Sequence, residues 1–263
     1  GNVDTGSPAW GAVFNGIVQG HALDVYLSWQ YKSVFTLATP ADSGIKTVAD
    51  LDGKAVGVSE LSGGEVPIVR AVLREAGLTE GEDVQLIPVG EGSALTVNAL
   101  QTGRIHAYSS NMFDVAAIRA AGIPMNIIMP KSVENFPGNS LVARADRLKK
   151  DREMFQGIAR AMARAIVYVE NNPEEAFELA KQLRPEQLEE PKLSKASWEA
   201  AFTLRERPDD MPADTPIGAP YRPGIQAYHD FMRQGSEEEG ALLKDIDIET
   251  ILEGYPWLER EDV

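Results

Sequence analysis

The sequence predicts an α/β fold of two similar lobes, and three observations predict it. Strand and helix patterns alternate from residue 45 to residue 130, as in a mostly parallel sheet covered on both faces. Residues 54–77, KAVGVSELSGGEVPIVRAVLREAG, read as strand, glycine turn and helix in that order. Residues 1–28 can also be laid over residues 103–130 without a gap, since 103 − 1 = 102 and 122 − 20 = 102 for the two glycine pairs, which suggests lobes of related build.

In that repeat Val3 faces Ile105, Val13 faces Val115 and Val25 faces Ile127. Each copy reads as a strand, a turn, a short helix stopped by Gly20 or Gly122, and a second strand. A helix over 93–102, with Leu95, Val97, Ala99 and Leu100 available for a buried face, stands before the second copy; nothing stands before the first. By analogy a strand and helix, roughly 30 residues of a βαβ unit, are expected to be missing ahead of Gly1. The sheet edge beside Val3 then needs completion by that segment or by another molecule.

Residues 33–38 (SVFTLA) are a strand, 39–44 a break and 47–53 a short helical turn. Within 54–77 the β-branched run 55–59 makes the strand and Ser62-Gly63-Gly64 the turn. Val66, Val69, Val72, Leu73 and Ala76 form the inner face of a helix that Gly77 ends. Residues 84–89 (VQLIPV) and 139–144 (NSLVAR) supply further strands, with a loop at Gly90-Glu91-Gly92. Beyond them the chain turns helical. Residues 151–171 carry Phe155, Ile158, Met162, Ile166 and Val169 on one face, and Asn172 is expected to cap a helix with Pro173 in its first turn. Residues 207–223 hold five prolines and read as a long surface connection; helix resumes at 224–234, and Glu237, Glu238 and Glu239 read as a solvated helix start.

A formal charge of −15 opposes nucleic acid or an anionic membrane surface as partner. No apolar run approaches the ~20 residues that span a bilayer, so no membrane insertion is expected. The absence of cysteine removes disulfides, thiolate catalysis and cysteine-ligated zinc together. His21, His106 and His229 stand far apart, and neither a Walker lysine nor a Gly-x-Ser-x-Gly elbow is present. The chain therefore reads as a non-enzyme with no cofactor and no metal.

A strand, glycine turn and helix in an open α/β sheet put the turn at the carboxyl end of the strand, where backbone N–H groups and the positive helix end face a ligand crevice. Ser62, Gly63 and Gly64 are the expected donors. Glu65 beside them either meets only the helix dipole or faces the ligand, where it suits an amine or a ring N–H. Asn111 and Phe113 occupy the equivalent turn of the repeat, with cleft and packing roles both open. In the first copy Ser7 and Trp10 stand at a helix start, and Trp29 and Tyr31 end a strand. The tryptophans either offer flat faces to a ring or pack between helix and sheet. An unpaired carboxylate beside a bound anion is costly in a desolvated site. The aromatics with Glu65 thus favour a small organic molecule with a ring or apolar body over a small inorganic anion.

The segments GNVDTGSP at 1–8, DSGIKTVADLDGK at 42–54, LQTGRIHA at 100–107 and NNPEEA at 171–176 resemble, in this order, the periplasmic solute-binding proteins of ABC importers. The group is the one serving nitrate, sulfonates, taurine and thiamine-precursor pyrimidines. Among the ligands that the resemblance implies, the aromatics with Glu65 favour a ring-containing, pyrimidine-like compound over nitrate or sulfate, with a sulfonate or aromatic carboxylate as the alternative. The resemblance covers most of residues 1–184 and fades beyond. It implies a two-lobed, type II periplasmic-binding-protein-like fold, with two crossing hinge strands near 38–43 and 131–138. Lobe one then comprises 1–40 and 137–263, lobe two 41–136, with ligand in the cleft and the lobes closing over it. It further implies a small-molecule ligand, an ABC transporter membrane permease as partner, a periplasmic location, and an export signal that this sequence does not show. Some pyrimidine-synthesising enzymes resemble the same fold, so such an enzyme is the competing reading, and a ligand-sensing domain is a third.

Overall fold

The computed structural model describes residues 3–185, 190–234, 241 and 243–252. The expected acidic helix start at 237–239 and the first two residues of the repeat lie outside them. In chain order the strands are β1 (Leu23–Ser28), β2 (Phe35–Pro40), β3 (Lys54–Val58), β4 (Val84–Pro88), β5 (Ala107–Asn111), β6 (Met125–Ile127) and β7 (Ser140–Arg144). The helices are α1 (Trp10–Val18), α2 (Glu65–Glu75), α3 (Ala94–Gln101), α4 (Met112–Ala120), α5 (Lys131–Glu134), α6 (Ala145–Lys150), α7 (Arg152–Asn171), α8 (Pro173–Leu183), α9 (Pro191–Thr203), α10 (Arg222–Arg233) and α11 (Ile248–Ile251). Two compact units divide the chain: Gly1–Lys32, Asn135–Gln187 and Leu204–Val263 make the first, Ser33–Glu134 and Leu188–Thr203 the second.

In the first unit β1 pairs antiparallel with β7, and Gly6 bridges to Val142 on the other edge of β7. Residues 24–28 are all buried, which suits β1 to a covered position rather than a solvated face. Its Tyr26 and Leu27 join Leu141, Leu148, Phe155, Ala159 and Ala163 in one core, so the small alanines of α7 let that helix sit close to the strands. Around α1 and α10 the packing is aromatic. Phe14 stacks near Tyr228 at 6.0 Å, and Phe136 meets Tyr228 at 5.1 Å and Phe231 at 4.9 Å. Asn172 does not cap α8 through its side chain. Its Nδ2 donates to Tyr168 O at 3.1 Å, so the side chain closes α7 behind it instead of opening the helix ahead.

The second unit holds a five-stranded sheet in the order β4-β3-β5-β2-β6. β3 is parallel to β4 and to β5, whereas β2 runs antiparallel to β5 and β6. The domain boundary expected after residue 40 assigns β2 to lobe one; its ladder partners β5 and β6 belong to the second unit. Val66, Val69, Val72 and Leu73 bury the inner face of α2, as their spacing predicts; Ile68 joins them, whereas Ala76, expected on the same face, follows the helix end and is only partly buried. α3 differs from expectation: Leu95 is 54% exposed, and Thr96, Ala99 and Leu100 form the buried face. The Thr96 hydroxyl donates to Val89 O at 2.9 Å, which fixes the helix on the strand end and turns the preceding Leu95 outward. α9 packs against α4 in this unit, with Thr203 Oγ1 3.4 Å from Met112 Sδ.

The repeat is visible in the backbone. α1 and α4 begin and end at one offset, 112 − 10 = 102 and 120 − 18 = 102. Gly20 and Gly122 both take positive φ, at 86° and 96°, after those helices. Gly6 and Val25 both lie opposite Val142, just as Tyr108 and Ile127 both lie opposite Ala38. β7 in the first unit and β2 in the second therefore play one part.

Candidate functional site

Because β3, β4 and β5 are parallel, the turns that follow them open at one end of the second unit's sheet. Tyr108 ties two of them together: its hydroxyl donates to Gly90 O at 2.7 Å and accepts from Gly92 N at 3.0 Å. Burial pushes this phenol up to about 12, so it remains a neutral donor. Gly92 takes φ 54°, and a Cβ there would stand 2.8 Å from Asp114 Cα; the loop can approach α4 only as glycine. Asn111 caps α4, its Oδ1 accepting from Phe113 N and Asp114 N at 3.0 Å each. Its Nδ2 donates to Asp114 Oδ2 at 3.0 Å, and Ser110 Oγ donates to the same oxygen. Burial raises the Asp114 carboxyl above the usual carboxylate value, Ser110 opposes this, and the charges of Glu91 and Glu65 add to the rise.

Glu65 is buried, and its carboxylate turns back into its own loop. Oε1 accepts from Ser59 N at 2.9 Å and from Ser59 Oγ, while a Cβ on Gly63 would stand 2.5 Å from Oε2. Ser62 and Gly64 are exposed ahead of α2, whose N-terminus has no side-chain cap. Phe113 is exposed beside the Asn111 cap. Of the residues expected in this unit, Asn111 thus joins a polar cluster with Tyr108, Ser110 and Asp114, none of which the sequence singles out, while Glu65 bonds within its own loop and reaches Tyr108 and Asp114 through its charge.

In the first unit the two tryptophans part company. Trp10 is wholly buried, its Nε1 donating to Ser140 Oγ at 3.1 Å and its ring meeting Phe14 edge-on at 5.7 Å. A ring enclosed on every side has no face for a ligand, so Trp10 is a packing residue and the stacking role expected of it is withdrawn. Trp29 and Tyr31 instead line a cavity of about 160 Å³ together with Glu170, Arg205, Arg207 and Gly218. Ser7 is exposed and accepts from Trp29 Nε1 at 3.0 Å, which holds the indole.

The chain beyond α9 builds the rest of that cavity. Tyr31 N and Lys32 N donate to Leu204 O at 2.8 and 3.1 Å, and Ser28 N donates to Gly218 O at 2.8 Å. Residues 204–218 are thereby laid along the end of β1. Arg207 Nη2 donates to Thr215 O at 2.9 Å, which anchors its guanidinium. Arg205 Nη2 stands 3.8 Å from Glu170 Oε1, on a side chain 12% exposed. Burial pushes the Arg205 guanidinium down, against the opposing charge of Glu170, and burial raises the Tyr31 phenol while the charge of Arg207 lowers it. Arg205 and Arg207 carried no signal in the sequence beyond their place at the start of a proline-rich stretch, and Glu170 none beyond its place near the end of α7.

Among the described residues no group of three or more His, Asp or Glu is placed to hold a metal ion. His229 is buried at 5.3 Å from the Phe14 ring, with Nε2 2.9 Å from Leu243 O.

A family model described as NMT1/THI5 like matches residues 1–176. The riboflavin-binding protein RibY of Chloroflexus aurantiacus is 25% identical over 154 residues, which are 58% of this chain and 43% of that protein. The match therefore spans less than half of that relative. The periplasmic aliphatic sulphonate-binding protein SsuA of Escherichia coli has a TM-score of 0.69 at 19% identity, over 98% of this chain and 82% of its own. The alkanesulfonate-binding protein SsuA of Xanthomonas axonopodis pv. citri, bound to MOPS, has a TM-score of 0.62 at 15% identity, over 95% and 80%. At such identities these likenesses show the fold, which is that of the periplasmic binding proteins.

Proposed function

The chain belongs to the NMT1/THI5-like family, and from that premise we propose that it is the solute receptor of an ABC importer, binding a small organic molecule built on a ring. The observation that carries this reading is the cavity at the end of β1, lined by Trp29 and Tyr31. At about 160 Å³ it is smaller than the ~300–1,000 Å³ of pockets for drug-sized ligands, and it suits a single ring or one end of a larger molecule. Supporting it, the turns of the second unit carry the carboxylates of Glu65 and Asp114 among their donors. An inorganic anion bound beside two carboxylates is disfavoured, whereas ring N–H groups find acceptors there.

A pyrimidine-like compound fits this chemistry first. Similarity to a riboflavin-binding protein points the same way, since riboflavin is itself a flat ring system. A sulfonate or aromatic carboxylate is the second reading, supported by similarity to sulphonate-binding proteins and by the two arginines in the cavity. Capture by closure of two lobes, delivery to a membrane permease and a periplasmic location belong to this proposal. No helix among the described residues is long and apolar enough to cross a membrane.

The competing reading, an enzyme of the same fold, predicts a different fate for the ligand. Equilibrium dialysis of the protein against a panel of pyrimidines and aromatic acids, followed by mass spectrometry of both chambers, separates the two. A receptor concentrates one compound and returns it unchanged. Catalytic conversion of that compound would replace the receptor reading by the enzyme.

A further inference from the structure

We propose that the cavity at the end of β1 recognises a pyrimidine by the edge on which a ring N–H lies beside ring carbonyls, with Tyr31 and Arg207 donating to the carbonyls and Glu170 accepting the N–H. The inference deepens the receptor reading, on which it rests for the ring, by naming the edge that is read. All three side chains line the cavity. Their polar ends lie near one another, since the charge of Arg207 lowers the Tyr31 phenol and that of Glu170 raises it. Burial raises the phenol further and is the larger effect, so Tyr31 keeps its proton. A backbone hydrogen bond from Gly218, itself on the cavity wall, reaches the phenol oxygen, which leaves the phenol proton for a further acceptor.

Charge narrows the class. Arg207 donates to Thr215 O at 2.9 Å through Nη2 and to Ala213 O at 3.5 Å through Nη1, so backbone carbonyls already hold it, and a guanidinium has further N–H groups to give. Glu170 is 46% exposed and stands 3.8 Å from Arg205, so its carboxylate keeps acceptor positions open. An acid group entering here would meet that carboxylate, which is costly in a site drawn out of water. A neutral ring with donor and acceptors on one edge meets both signs of the cavity at once. Tyr31 and Arg207 are donors on either count, Glu170 is the acceptor, and an imide edge, one N–H between two carbonyls, complements that set. For the faces of the ring, Trp29 offers its indole, because Ser7 takes the indole N–H, and Ile166 and Ile217 supply apolar wall.

The test titrates the full chain with three probes and reads tryptophan fluorescence. Uracil carries the whole edge, 1,3-dimethyluracil keeps the ring and carbonyls without an N–H, and 2-aminopyrimidine has no carbonyl. Uracil is expected to bind saturably, and each of the other two at least about tenfold more weakly, the scale of one charge-assisted hydrogen bond. Glu170→Ala should weaken uracil by about tenfold and leave 1,3-dimethyluracil unchanged, whereas damage to the fold would weaken both alike. Tyr31→Phe should weaken uracil severalfold and narrow its lead over 2-aminopyrimidine. The proposal is overturned if uracil gives no saturable change, if 1,3-dimethyluracil binds as tightly as uracil, or if Glu170→Ala weakens the two to the same degree. 2-Aminopyrimidine binding as tightly as uracil would overturn the choice of a carbonyl edge. Saturable binding of benzoate without uracil would overturn the edge while the receptor reading stands, whereas chemical conversion of bound uracil would remove the receptor reading and leave the recognised edge in place.

Discussion

The first turns of α1 and α4 stand at equivalent positions of the repeat, but different side chains hold them. Where the second copy has Tyr108, Asn111 and Asp114, the first has Gly6, Ala9 and Ala12, since 108 − 6, 111 − 9 and 114 − 12 all equal 102. In the second copy those residues bond to one another and to the Gly90–Gly92 loop. In the first copy α1 has no side-chain cap and is fixed by the burial of Trp10 and Phe14, whose counterparts are Met112 and Ala116. One backbone plan is thus anchored by a polar network in one place and by aromatic packing in the other. The polar groups therefore collect at the strand ends of the second unit, while in the first unit the cavity lined by Trp29 and Tyr31 lies at the end of β1.

The largest way to break this comparison is Phe14→Ala. It empties a wholly buried aromatic position between Trp10, Tyr228 and His229, and should cost about 3–5 kcal/mol in urea unfolding. Ala116→Gly, at the same place in the second copy, should cost only about 1 kcal/mol. Equal losses from the two changes would mean that aromatic burial is not what anchors α1.

Next comes Tyr108→Phe, which leaves Gly90 O and Gly92 N without the hydroxyl they share. A loss of about 1–3 kcal/mol is expected in the same unfolding assay. A change within error would show that the Gly90–Gly92 loop is held by something other than this network.

Much of this arrangement is legible in the sequence, and the limits have a physical cause. The strand, glycine turn and helix over 54–77 and the offset of 102 can be read because apolar period and glycine position are local signals. The sheet to which β2 belongs cannot, since a strand pattern does not name its partners, and β5 and β6 lie far along the chain. Trp10 and Trp29 look alike in sequence. They are separated by Ser140 and Phe14, which enclose one, and by the cavity that the other lines. Arg205 and Arg207 reach that cavity because Tyr31 N bonds to Leu204 O across 204 − 31 = 173 positions, a contact that no local pattern announces.

Two smaller changes sharpen the comparison by exchanging the two anchoring modes. Asn111→Ala removes the cap of α4 and should cost about 1 kcal/mol, whereas Ala9→Asn, at an extended position ahead of the uncapped α1, should stabilise by up to about 1 kcal/mol. A loss from Ala9→Asn as large as that from Asn111→Ala would mean that aromatic packing leaves no room for a cap.

The smallest effect is one of pH. The Asp114 carboxyl is raised above its ordinary value of 3.8, chiefly by burial, so folding favours its protonated form. Its contribution to stability is full below that ordinary value and is lost as pH rises through the higher folded value. Asp114→Asn should flatten the pH dependence of stability across that interval, followed by urea midpoints from pH 3 upward; an unaltered profile would place the carboxyl outside the network.

The most direct test of the functional account is titration calorimetry of the full chain with pyrimidines and aromatic acids on one side and nitrate and sulfate on the other, in the wild type and in Trp29→Ala. The account predicts that a ring compound binds, that Trp29→Ala weakens it by about tenfold, the order of magnitude of one aromatic contact in a pocket, and that the inorganic anions do not bind. Tight binding of nitrate or sulfate, undiminished in Trp29→Ala, would contradict it.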